Sequence, residues 1–306
     1  MKNALSVFVF GEYERFLPYY VFSISYNYDN VDIVIFYKEK LDSKIRDYID
    51  SFDNVVIYED FNFNNNIKWL DDLKIKGGGV KTLLRFLIEG HYFEKYKYVY
   101  FGDVDVLIFN ETKSLFDFHE SQIKYNEVPF SNKVRLDEEG NLTKRLTGLH
   151  FVEVKPYFNK INLIINKIFS DETFRYYILK DVIRDEEFLF NLCKSAFNFD
   201  NKQLSRNKTP LHGVHLGLFR HKKFPKKSHL EKDSFNFKTS KSHLDLLNFE
   251  GNIDKLLMQF PNLEIFRCYR YFDSRLKVTT IFSLNFYFYS KKIARLNKKI
   301  KNKLQY

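Results

Sequence analysis

The sequence predicts an α/β fold built on a doubly wound, mainly parallel sheet, and three observations predict it. Strand-like apolar runs alternate with helical spacings over the first hundred residues, the pattern that puts a crossover helix between parallel strands. The run Tyr96-Lys97-Tyr98-Val99-Tyr100-Phe101 then ends at Gly102, and two carboxylates, Asp103 and Asp105, follow one residue apart before Val106 to Phe109 resumes the apolar pattern. Ligands of such sheets bind beyond the carboxyl ends of the strands, which is where this pair falls.

In order, residues 5–10 read as an opening strand and Tyr19 to Tyr26 as the helix after it. Val31 to Tyr37 is a second strand, Leu41 to Phe52 a helix and Val55 to Tyr58 a third strand. Residues 61–79, rich in Asn and closing on Gly77-Gly78-Gly79, read as a loop. Lys81 to Phe93 has helical spacing through Leu84, Leu87, Ile88 and His91 and leads into the strand Tyr98 to Phe101. Residues 121–147 are mixed and polar, Gly148 to Val154 reads as another strand, and Phe158 to Phe169 and Asp185 to Lys194 read as helices. With no internal repeat and no clear linker, the division is one elaborated domain over 1–222 and a basic extension over 223–306.

With 44% hydrophobic residues, 34 Phe and 21 Tyr among 306, a substantial core follows. Only 11 Gly and 6 Pro exclude a collagenous or low-complexity chain. Cys193 and Cys268, far apart, have no metal-ligand spacing and fit a reducing compartment. The apolar stretch Leu5 to Phe10 is too short for a signal-peptide core, and no run approaches a membrane span, so a cytoplasmic location is expected. A net charge of +10 implies an acidic partner: nucleic acid, anionic lipid or a phosphorylated small molecule.

Aspartate is poor in strands and costly to bury, so two between apolar runs need a reason. Alternate residues of an extended segment point the same way, so Asp103 and Asp105 can reach one hard cation, which normally also binds a substrate's phosphates. The plainer alternative makes Asp103 a turn cap and Asp105 a solvated loop residue. In His212-Gly213-Val214-His215-Leu216-Gly217, glycines admit backbone close to a diphosphate and imidazole is a good ligand; a turn with two solvated histidines is the alternative. Arg85 reads as a donor ligand or as a surface arginine lying over apolar side chains. Arg220, Lys222 and Lys223 form a basic loop suited to a diphosphate, or a solvated charged face. Asp185, Glu186 and Glu187 complement a helix dipole, or one carboxylate stands near an acceptor hydroxyl as general base or orienting group.

The order of these features resembles nucleotide-sugar-dependent glycosyltransferases of the GT-A fold, broadly similar to family 8, over roughly residues 5 to 220. The resemblance rests on Lys81-Thr82-Leu83-Leu84-Arg85-Phe86-Leu87, on Tyr98 to Leu107 with its Asp103-Val104-Asp105, on Thr147-Gly148-Leu149-His150-Phe151, on Asp185-Glu186-Glu187-Phe188-Leu189 and on His212 to Gly217. It implies a mixed, mainly parallel sheet flanked by helices, and Mn2+ or Mg2+ held firmly by Asp105, with Asp103 bridging sugar and metal. It implies His215 or His212 as a further ligand, the usual His-x-x-Gly spacing being altered here. Gly148 resembles the small-residue turn beside the transferred sugar, with His150 touching donor or acceptor. Family members usually carry Asp-Gln where this chain has Asp185-Glu186, which leaves retention or inversion open. The resemblance favours a UDP-sugar donor and a glycan or lipid-linked glycan acceptor, as in surface polysaccharide synthesis.

Ile293, Leu296, Ile300 and Leu304 fall at helical spacing among seven Lys and Arg between 291 and 303, after Phe286-Tyr287-Phe288-Tyr289. Such a helix suits an anionic bilayer surface or packs on its own domain. A nucleotidyltransferase would also set paired carboxylates around a metal, but it would release pyrophosphate, and no Gly-rich nucleotide loop of that class stands near the N-terminus. A nucleic-acid-binding protein would use the charge and aromatics for phosphate contact and stacking. Here the aromatics sit in strand-like apolar runs where core packing explains them, so no nucleic acid is expected.

Overall fold

Val31-Asp32-Ile33-Val34-Ile35-Phe36-Tyr37 is buried along its whole length, as a strand covered on both faces must be. In the computed structural model the described residues are 1–62, 69, 80–109, 114–208, 212–220, 237–272, 274 and 276–304. They form two compact units. The first comprises Met1–Leu17, Asn27–Val104 and Asn110–His212; the second comprises Pro18–Tyr26, Asp105–Phe109 and Gly213–Tyr306. The second unit thus takes in two short segments that lie before Gly213 in the chain.

The first unit is organised by a six-stranded sheet. Its parallel part joins β1 (Lys2–Val9), β2 (Val31–Tyr37), β3 (Val55–Tyr58) and β4 (Tyr96–Phe101) in the order β3-β2-β1-β4. β1 is central, with Leu5 between Ile33 of β2 and Tyr100 of β4. The strand after it in the chain, β5 (Val106–Ile108), belongs to the second unit. Two antiparallel strands complete the order, β9 (His150–Glu153) beside β4 and β6 (Phe130–Ser131) at the edge. The result is the expected α/β architecture, a mixed and mainly parallel sheet flanked by helices. A separate antiparallel pair joins β7 (Val134–Leu136) to β8 (Leu142–Leu146).

One buried charge in the sheet has a clear account. Asp32 of β2 accepts from the Tyr96 hydroxyl at 3.0 Å and pairs with Lys2 at 3.1 Å and Lys95 at 3.5 Å, so its carboxylate is satisfied where water is scarce. The helix Val154–Ser170 shows why helices lie on this sheet. Tyr157, Phe158, Ile161, Ile165 and Ile168 recur every three or four residues and all are buried, with Phe158 stacked on Phe93.

The segment expected as one helix over Lys81 to Phe93 is instead a helical turn, Val80–Leu83, and two 3-10 turns, Leu84–Phe86 and Gly90–Phe93. Leu83 to Ile88 are all buried, so the segment has no polar side to turn to solvent, and it winds tightly through the interior with Arg85 carried inward. The loop expected at 61–79 lies outside the described residues except for 61, 62 and 69, as do Lys222 and Lys223.

In the second unit β5 pairs antiparallel with β10 (Gly213–His215), placing Gly213 opposite Ile108 and His215 opposite Val106. Helices Phe237–Leu247, Asn252–Gln259 and Leu263–Tyr271 follow, with Tyr19 donating to the Phe260 carbonyl at 2.5 Å. The C-terminal segment is one helix, Val278–Leu304. No helix among the described residues is long and apolar enough to cross a membrane.

Candidate active site

In the first unit, Arg85 is the centre of the arrangement. The tight turn carries its guanidinium to the carboxyl end of β4, where Nη1 pairs with Asp103 Oδ1 and lies 3.5 Å from the Gly102 carbonyl. Nη2 donates to Asp185 Oδ2 at 2.7 Å. Burial works against the Arg85 charge, but Asp103 and Asp185 outweigh it and its pKa is raised. One guanidinium thus fixes two carboxylates that lie 82 positions apart in the chain. Gly148 makes room for it, since a Cβ there would stand 2.7 Å from Nη2.

Asp185 and Glu186 open the helix Asp185–Ala196, where negative charge complements the helix N-terminus. Glu187 caps the same end, accepting from the Arg184 amide at 2.9 Å. Glu186 is held by two arginines of the hairpin. Arg135 Nη2 reaches its Oε1 at 2.6 Å, and Arg145 donates to Oε2 through Nε at 3.1 Å and through Nη2. Both acids expected near the chemistry are therefore engaged by guanidinium groups. Arg135 and Arg145 were not among the residues expected from the sequence.

His150 lies in the core of the first unit. It is wholly buried, with Nδ1 3.0 Å from Asn132 Nδ2 and Nε2 3.1 Å from the Tyr157 hydroxyl. Burial, aided by the Arg85 charge, lowers its pKa to about 3, which favours the neutral ring. His212 is also in the first unit, buried with its ring against Phe118 and His119. Burial lowers its pKa to about 3, and neither ring nitrogen has a hydrogen-bond partner among the described residues.

These histidines predict a pH dependence. Their folded pKa values lie below the ordinary value near 6.5, so the unfolded chain binds protons first as pH falls. Stability is full above about pH 6.5 and declines as the pH falls towards about 3, costing about 2 kcal/mol for each of His150 and His212 by pH 5. Urea unfolding at pH 7 and pH 5 checks this, and equal midpoints would count against neutral buried rings. His150→Asn, which cannot titrate, is expected to shrink the difference while leaving the share that His212 contributes.

In the second unit, Asp105 is the counterpart of Arg85. It is only 3% exposed, and its carbonyl accepts from the Leu216 amide at 2.7 Å. The pairing of β5 with β10 brings His215 to it, with Nε2 3.6 Å from Asp105 Oδ1. Arg220 Nη2 pairs with Asp105 Oδ2. Between them Gly217 keeps a space open. A Cβ at Gly217 would stand 2.5 Å from His215 Cε1 and 3.2 Å from Asp105 Oδ2. A buried carboxylate oxygen and an imidazole nitrogen beside a backbone without side chain suit a divalent ion of the Mn2+ or Mg2+ type.

No protein-family model matches the chain, and no curated protein matches it. Solved structures similar to it include the galactosyltransferase LgtC in complex with donor and acceptor sugar analogs, at 16% identity over 62% of this chain and 70% of that one, TM-score 0.45. The glycosyltransferase GlyE of Streptococcus pneumoniae in its apo form is similar at 14% identity over 65% of this chain and 44% of that one, TM-score 0.40. TarS of S. aureus in complex with UDP-GlcNAc is similar at 13% identity over 88% of this chain and 73% of that one, TM-score 0.32. These identities and scores are low, so the chemistry must be read from the side chains.

Proposed function

We propose that this chain is a metal-dependent glycosyltransferase of the GT-A type, moving a sugar from a nucleotide-diphosphate sugar to a hydroxyl of a glycan or lipid-linked glycan. The observation that carries this is the buried Asp105 carboxylate with His215 at 3.6 Å beside the open Gly217 backbone. Asp105 and His215 would hold Mn2+ or Mg2+, and Asp103, one residue removed along the sequence, is the further carboxylate for donor and metal. When bound, the ion neutralises charge that develops on the departing diphosphate.

The remaining roles belong to the chain's own groups. Arg220 binds the diphosphate, a task that suits a forked donor. Arg85 aligns Asp103 and Asp185 on the sugar side, and Gly148 leaves the space that this arginine needs. Asp185 and Glu186, held by guanidinium groups, orient and electrostatically support the transferred sugar. A UDP-sugar is the favoured donor. Thermal stabilisation by a panel of nucleoside diphosphates, each with and without Mn2+, tests the reading. A metal-dependent shift with one nucleotide is the expected result; folded protein that shifts with none would overturn it.

The acceptor reading has a separate support. Phe282, Phe286 and Tyr289 recur at helical spacing on Val278–Leu304 and are 70%, 76% and 64% exposed, ahead of a lysine-rich sequence. Aromatic side chains followed by basic ones suit an anionic bilayer face, where a lipid-linked acceptor resides. Co-sedimentation with phosphatidylglycerol vesicles is expected, weakened several-fold in a Phe282→Ser, Phe286→Ser double variant. Equal sedimentation of the two proteins would remove the membrane role.

A further inference from the structure

Asp105 poses an electrostatic problem whenever no divalent ion is bound. Its side chain is 4% exposed, and a lone carboxylate that deep in protein is costly. Arg220 solves it by pairing with Oδ2, while His215 stands by Oδ1 at the longer distance of 3.6 Å. The guanidinium on Oδ2 and a divalent cation at Oδ1 would repel each other across one carboxylate, so the arrival of the ion weakens the hold on Arg220.

Hydrogen bonds on either side of it hold the Arg220 backbone in place. Arg267 Nη1 donates to the carbonyls of Phe219 and Arg220, each at 3.1 Å, and the Arg220 amide donates to the Gly217 carbonyl at 3.3 Å. The Arg220 side chain is itself 35% exposed, so its head can leave the carboxylate without unfolding the turn that bears it. A diphosphate is the natural new partner for a planar fork of donors.

We propose that Arg220 is the resident counter-ion of Asp105, and that its guanidinium passes from the carboxylate to the donor's diphosphate as the divalent ion arrives. This rests on the metal site proposed above. It makes metal and diphosphate binding mutually dependent. Without a diphosphate, the ion must bind against the charge of the arginine already paired with that carboxylate. With one, the displaced charge gains a partner, so the two ligands bind cooperatively.

The signature is a pair of opposite effects from one substitution. Arg220→Gln removes the competitor, so Mn2+ alone is expected to bind about tenfold more tightly than to the parent chain. The same variant lacks the diphosphate ligand, so inorganic diphosphate at saturating Mn2+ is expected to bind about tenfold more weakly. Arg220→Lys, a compact charge without the fork, is expected between the two in both titrations. Free Mn2+ is read by its electron paramagnetic resonance signal in titrations of the full chain, and diphosphate by calorimetry, neither of which needs turnover. Equal Mn2+ affinities in the parent, Arg220→Gln and Arg220→Lys would overturn the exchange while leaving the metal site standing. Failure of every protein to bind Mn2+, with or without diphosphate, would overturn the metal site and the exchange together. Thermal melts of both variants establish that the comparison is between folded proteins, and Arg220→Lys carries the test alone should Arg220→Gln melt early.

Discussion

Asp105→Ala is expected to lower turnover of a nucleotide sugar by about a hundredfold or more while leaving the protein folded, the scale seen when a group that stabilises transition-state charge is removed. The backbone contribution of Asp105 survives the change, since the Leu216 amide bonds to its carbonyl and not to its side chain. The ion pair with Arg220 is lost, but that arginine is partly exposed and can hydrate, so little stability goes with it. Product release measured alongside a thermal melt separates the two effects. Near-normal turnover in a folded variant would remove Asp105 from the chemistry. A melt that collapses with activity would make the residue structural.

The second large effect is expected at Arg85. Arg85→Ala leaves Asp103 and Asp185 without the cation between them, and removing one partner of a buried charge cluster costs about 3 kcal/mol. The contact of the guanidinium with the Phe86 ring, 4.7 Å from its centroid, is lost as well. Activity should fall further than stability alone explains, because both carboxylates lose the group that aims them. Arg85→Lys tests this point. An ammonium restores charge but cannot fork between two carboxylates, so stability should recover in part while donor turnover stays low. Urea unfolding and the Michaelis constants of the two variants supply the comparison. Wild-type values in Arg85→Ala would show that the cluster is incidental.

Much of the sheet was legible in the residues themselves. Val31 to Tyr37 and Val55 to Tyr58 were bounded correctly because apolar, β-branched runs flanked by turn residues have few alternatives. The paired aspartates stood out because carboxylates between apolar runs demand an explanation. The helix expected at Lys81 to Phe93 failed for a tertiary reason, since its spacing was helical but its burial is continuous. Periodicity cannot tell one side buried from all sides buried.

The site was harder to read than the fold. His212 and His215 are alike in sequence, each with an apolar neighbour and a glycine within two residues. What separates them is the pairing of β10 with β5, which sets His215 opposite Val106 and so beside Asp105, a register spanning more than a hundred residues. Arg135 and Arg145 escaped notice for the same cause. Each looks like a surface arginine until Val134 is paired with Leu146 and the hairpin meets the helix that bears Glu186. His150 gave no sign in the sequence of the three polar partners that surround it in the interior.

The central claim is most directly tested by the nucleotide product. The full chain would be incubated with a panel of nucleotide sugars, with Mn2+ or with chelator, and the nucleotides separated by ion-exchange chromatography. The account predicts a nucleoside diphosphate released from one donor, dependent on metal and absent with Asp105→Ala. Release of pyrophosphate instead, or no product from any donor by folded protein, would contradict it.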